Sequence, residues 1–103
     1  MARPDAITAE VADAALGDLP GWRADGDRLV VAYRFTDFET AMAFMVAVAP
    51  HARELDHHPE WRNVYNRVEI ELTTHDLGGL SELDLELAAR MVMLAERFGG
   101  TTT

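Results

Sequence analysis

The sequence has 103 residues, no cysteine, and 18 acidic against 9 basic side chains, for a formal net charge of −9. That length fits one domain, residues 1–103, with a modest core, and the lack of cysteine removes disulfides, thiolate nucleophiles and sulfur-bound metals. The charge works against phosphate backbones and anionic lipid, so neither nucleic acid nor a membrane is an expected partner.

No stretch approaches the roughly 20 apolar residues of a membrane span. The opening "MARPDAITAEV" lacks the long apolar segment of a secretion signal. A soluble cytoplasmic protein is the expectation.

The first predicted element is a short helix capped by Thr8, with Val11, Ala14 and Ala15 on one face and an end at Gly17 and Pro20. "GWRADGDRLVVAYRF" then reads as a hairpin turning at Asp25-Gly26, with Leu29, Val31, Tyr33 and Phe35 on a buried face at period two. From Asp37 the period changes. Phe38, Ala41, Met45, Val48, Ala52 and Leu55 recur at helical spacing, and the stripe runs past Pro50, where a bend is expected.

"PEWRNVYNRVEIELTT" reads as a second hairpin, turning at Asn66-Arg67, with Val68, Ile70 and Leu72 on one face. After a glycine-containing loop, Ser81 and Asp84 stand as a capping box before a helix with Leu83, Leu87, Met91, Leu94 and Phe98 buried. The terminal "TTT" is expected to fray. The order α-β-β-α-β-β-α predicts an α+β two-layer sandwich: a four-stranded antiparallel sheet with three helices on one face.

The chemistry concentrates in histidine. His57 and His58 stand where the long helix gives way to the second hairpin, and His75 stands where that hairpin ends. With a turn at Asn66-Arg67, residues whose numbers sum to about 133 face each other, which sets His58 opposite His75. Three readings stay open. A His-His pair before proline can cap a helix C-terminus. Imidazoles can give and take protons near neutral pH. Histidines can also hold a metal, although these four, His51 included, show no familiar ligand spacing. Spacing by itself favours the cap. Trp22 and Trp61 can wall a flat ligand or fill the core, and core is the commoner use of wide aromatics.

Read as words, "HHPEW", "NVYN", "LTTHD" and the later Asp84, with "LPGW" and "YRFTDF" upstream, resemble the pterin-4a-carbinolamine dehydratase family from about Leu19 to Ala95. The resemblance implies the fold just described. It also implies dehydration of a 4a-hydroxytetrahydropterin to the quinonoid dihydropterin, without metal or organic cofactor. It carries His57, His58 and His75 over as active-site histidines, with His58 and His75 as the main acid–base pair. It further implies that Pro59, Thr74 and Asp76 border the pterin, and Trp22 and Trp61 match family words. The partners implied are the small-molecule pterin and further copies of the chain, as a homodimer or homotetramer. Some relatives instead act as partner-binding or assembly proteins. One departure is Arg53, four residues before His57, where the family carries an acid; here the acid is next door at Glu54.

Overall fold

The computed structural model describes residues 4–103; the first three residues of the stretch read above as lacking a secretion signal lie outside it. Helix α1 (Ala9–Leu16) is followed by strands β1 (Arg23–Asp25) and β2 (Arg28–Arg34) and helix α2 (Phe38–Leu55). Strands β3 (Glu60–Val64) and β4 (Arg67–Leu72), helix α3 (Glu82–Arg97) and a two-residue strand β5 (Thr101–Thr102) complete the order, with one 3-10 turn at His75–Leu77. The sheet is antiparallel throughout, in the order β1-β2-β4-β3, with β5 also pairing with β2. This is the α+β architecture the periodicities predict, with one short strand more.

Alternation decides the sheet's inner face. Leu29, Val31 and Tyr33 of β2 and Val68, Ile70 and Leu72 of β4 are buried, while their neighbours in sequence are less so. Helices α2 and α3 close over this face through Ala41, Phe44 and Val48, and through Leu87, Met91 and Leu94. Each fully buried aliphatic or aromatic side chain contributes roughly 1.5–3 kcal/mol. Tyr33 and Phe35 both pack on Phe44, with ring centroids 5.6 and 4.9 Å apart.

Several local expectations shift. Helix α1 faces inward through Ala12, with Leu16 packed on the core, while Val11 is exposed. The first turn is Gly26-Asp27, because Asp25 already pairs with Arg28; Gly26 takes the positive φ of 62° that the turn demands. Phe44 belongs to the buried stripe of α2, and Phe38 is exposed.

Pro50 sits inside the continuous helix α2. It and Val46, whose carbonyl loses its donor, are both exposed. Water can take that donor's place, so the helix tolerates the proline on this side.

The terminal threonines do not fray as expected. Thr101 and Thr102 pair with Arg34 and Tyr33, and the Thr103 amide donates to the Ala32 carbonyl at 3.0 Å. Two glycines admit this return. A Cβ on Gly21 would lie 2.1 Å from Thr102 Cγ2, and one on Gly100 would lie 2.6 Å from Phe35 Cε1.

Candidate active site

The turn of the second hairpin is Tyr65-Asn66, one residue earlier than the sequence suggests. Asn66, expected in the turn, is still one of its two residues, and both it and Asn63 also act through their side chains. The Asn63 amide donates to the Tyr65 and Arg67 carbonyls, and the Asn66 amide donates to the Phe35 carbonyl on the neighbouring chain segment. Moving the turn by one residue slides every cross-strand partner by two. Side chains alternate with period two, so inner and outer faces are preserved. By this register Thr73, not His75, lies opposite His58, yet the open end of the hairpin still gathers the same residues.

They line a cavity of about 620 Å³, within the range of small-molecule sites. His57, His58 and His75 all reach it, with Thr74 and Asp76 beside them. Leu55 and Leu83 supply apolar wall, and Pro4 joins them from the segment preceding α1. Asp56 and Glu82 add carboxylates.

The structure does not bring every expected residue here. Trp22 is a core residue, 5% exposed, whose Nε1–H donates to the Tyr33 hydroxyl at 2.9 Å. Trp61 packs against the core from β3, and neither it nor Pro59 lines the cavity.

The end of α2 explains how two adjacent histidines take different roles. Asp56 adopts the left-handed conformation at φ 48°. Its amide donates to the Arg53 carbonyl and the His57 amide donates to the Ala52 carbonyl, the paired bonds of a Schellman ending. The backbone therefore finishes the helix, and the imidazoles are left for other work. His57 turns inward and is 8% exposed, while His58 is exposed.

The inward ring meets a carboxylate. His57 Nε2 lies 2.6 Å from Asp84 Oδ1, and Asp84 has no solvent exposure. Asp84 Oδ2 accepts from the Ser81 amide at 2.9 Å and from the Thr74 hydroxyl at 2.8 Å. Ser81 Oγ lies 2.6 Å from Thr74 Oγ1 and accepts from the Leu83 amide at 3.2 Å. With Asp84 accepting in this network, Nε2–H of His57 serves as the donor, and Nδ1 is the ring nitrogen outside the contact.

The capping box read from Ser81 and Asp84 is present, but it does more than start a helix. Asp84 shares the buried face of α3 with Leu87, Ala88, Met91, Leu94 and Ala95. An acid in phase with an apolar stripe is the sequence signal for this second role, and cap reasoning alone passes over it.

His75 is held differently. Its side chain is 74% exposed, and its Nε2 lies 3.6 Å from Glu60 Oε2. At the departure from the family pattern, Arg53 is exposed in the last turn of α2, where a cation suits the helix dipole. Its neighbour Glu54 accepts from Arg90 Nη1 of α3 at 3.0 Å, so that acid is engaged between the helices. Among the described residues, no group of three or more histidine or acidic side chains is placed to hold a metal ion, and no helix is long and apolar enough to cross a membrane.

Comparison with known proteins bears on the family and the fold. A protein of Novosphingobium aromaticivorans, provisionally named a pterin-4-alpha-carbinolamine dehydratase, is 56% identical over 81 residues, covering 77% of this chain and 84% of that one. A Bordetella avium protein with the same provisional name is 52% identical over 89 residues, covering 84% and 82%. The crystal structure of a transcriptional coactivator/pterin dehydratase from Brucella melitensis superposes with a TM-score of 0.85 at 40% identity, over 88% of this chain and 99% of that one. A pterin dehydratase-like protein identified as a RuBisCO assembly factor in the alpha-carboxysome is more distant, with a TM-score of 0.59 at 27% identity over 72% and 86%. The profile described as pterin 4 alpha carbinolamine dehydratase matches residues 5–94, and the chain belongs to that family.

Proposed function

We propose that the protein dehydrates a 4a-hydroxytetrahydropterin to the quinonoid dihydropterin by histidine acid–base catalysis. The observation that carries this reading is the gathering of three imidazoles on one cavity, one of them fixed by a buried carboxylate. The reaction breaks the C4a–O bond and removes the proton from the adjacent ring nitrogen. The electron pair of that N–H closes the C=N bond, and the hydroxyl leaves as water. An imidazolium supplies the proton to the hydroxyl, and a neutral imidazole takes the ring proton.

His58 and His75, exposed at the mouth, are assigned these two transfers. His57, locked by Asp84, places the pterin and its hydroxyl. Thr74 and Asp76 border the ring, and Leu55 and Leu83 cover its faces. Pro59 and Trp61 shape the entry to β3, and Trp22 acts from the core. No metal or organic cofactor takes part in this scheme, and the whole chain serves as one catalytic unit in the cytoplasm.

The test follows the loss of 4a-hydroxypterin absorbance with wild-type protein and with His58→Ala and His75→Ala. Acceleration by the wild type, falling about 10²- to 10⁴-fold in the variants, is the expected result. No acceleration over buffer removes the reading.

The same proposal includes assembly as a homodimer or homotetramer. Phe38, Met42 and Val46 recur every fourth residue on the outer side of α2, at 43%, 38% and 68% exposure, and among the described residues β3 is an edge of the sheet. Light scattering of the purified protein gives the copy number, and a monomer at working concentration contradicts this part.

A second reading is a partner-binding or assembly role on the same fold. The likeness to the RuBisCO assembly factor favours it. Partner capture that survives replacement of the three histidines, without dehydratase activity, would select this alternative.

A further inference from the structure

His57 is oriented by burial and by Asp84, whereas His75 has neither advantage. It sits in the 3-10 turn beyond β4 with a side chain 74% exposed. Packing does not choose its rotamer, and a freely rotating imidazole loses much of its value as a proton-transfer group. A carboxylate does stand near the ring: Nε2 lies 3.6 Å from Glu60 Oε2.

Glu60 is itself unusually placed. It opens β3 directly opposite Glu71 on β4, and like charges facing across a ladder repel. Arg28, the first residue of β2, bridges them. Its Nη1 lies 2.6 Å from Glu60 Oε2 and 3.4 Å from Glu71 Oε1, while its Nε is 4.0 Å from Asp27 Oδ1. The hydrogen bond that Arg28 donates to Glu60 holds the guanidinium above its ordinary pKa. The oxygen that takes the Arg28 bond is the same one that faces His75. Three strand ends thus converge to fix one carboxylate oxygen beside a loosely packed imidazole.

We propose that Glu60, held in place by Arg28, is the positioning residue for His75. The proposal rests on the assignment of His75 as a proton-transfer group. When the ring takes up a proton, Glu60 stands ready to draw it closer, since such contacts are often long before substrate binds. An interaction that orients the resting ring and strengthens further as the charge develops raises kcat more than it tightens substrate binding.

The experiment combines kinetics with a readout independent of turnover. Glu60→Gln is expected to lower kcat about three- to fivefold at low ionic strength, with KM changed less than about twofold and the loss shrinking as salt is added. Arg28→Ala is expected to lower kcat about twofold with the same split, since it frees Glu60 without removing it. In a His75→Ala background, Glu60→Gln is expected to cost nothing further, because residues acting through one group are not additive.

Three-bond NMR couplings about χ1 of His75 report orientation directly. The expected result is one dominant rotamer in the wild type and averaging in Glu60→Gln, with an unchanged thermal midpoint. Rotamer averaging already present in the wild type overturns the proposal, as does a kcat loss that persists in the His75→Ala background. If the protein proves to have no dehydratase activity, the catalytic reading falls, while the couplings still decide whether Glu60 orients His75.

Discussion

The His57 ring and the Asp84 carboxylate meet at 2.6 Å, with Asp84 wholly withdrawn from solvent. A buried carboxylate is tolerated only because its lone pairs are met, here by His57, the Ser81 amide and the Thr74 hydroxyl. Asp84→Ala removes the acceptor from all three at once, and only the Thr74 hydroxyl keeps another partner, Ser81 Oγ. It is expected to destabilise the fold by about 3 kcal/mol, read from urea unfolding. Asp84→Asn keeps the shape but replaces an acceptor by a group that can also donate, so the ring tautomer is no longer enforced. Dehydratase activity is expected to fall at least tenfold with a smaller loss of stability. An Asp84→Asn protein as active as wild type would remove the positioning role of this pair.

Tyr33 and Trp22 form the buried polar contact on the other side of the core. Desolvation pushes the Tyr33 phenol up to about 12, partly offset by the bond from Trp22. The folded value lies above the ordinary 10.0, so the phenol's contribution is complete below pH 10 and is lost as pH rises toward 12. At most it amounts to about 2–3 kcal/mol. Tyr33→Phe is expected to abolish this alkaline decline. It also leaves the Trp22 N–H without its acceptor, for a loss of about 1–2 kcal/mol at neutral pH. Unfolding curves at pH 8 and at pH 11 check both parts.

Pro50 interrupts the hydrogen-bond ladder of α2 on its exposed side. Alanine restores the bond to the Val46 carbonyl and has the better helix propensity, while giving up the restraint proline puts on the unfolded chain. Pro50→Ala is expected to stabilise by about 1–2 kcal/mol without altering activity, as measured by thermal melting. A lower melting point would mean that the proline bends the helix usefully toward its neighbours.

Asp37 caps α2, with Oδ1 accepting from the Thr40 amide at 2.8 Å. Its contacts with Thr40, through side chain and backbone, hold the carboxyl below its ordinary 3.8. A lowered folded value means that the contribution is present above the unfolded value and is lost as pH falls through the folded one. Asp37→Asn retains a capping oxygen without the charge. The variant is expected to unfold in acid with a flatter dependence below about pH 4 than the wild type. Superimposable acid-unfolding curves would contradict this.

The sequence by itself determined the element order, the buried faces of β2 and β4 and most of the stripes on α2 and α3, because those follow from periods of two and 3.6 along the chain. Its family words also marked the three histidines. What it left undecided depends on contacts between distant segments. The hairpin turn moved to Tyr65-Asn66 because Asn66 binds Phe35 across the fold. The last threonines became a strand because Gly21 and Gly100 leave room for them. Trp22 went to the core because Tyr33 offers its indole an acceptor there. The division between an inward His57 on Asp84 and an outward His75 beside Glu60 was likewise a tertiary decision. Each pair joins elements far apart in the chain, and only the packed sheet and helices fix the distances that make a carboxylate a partner for one ring and not another.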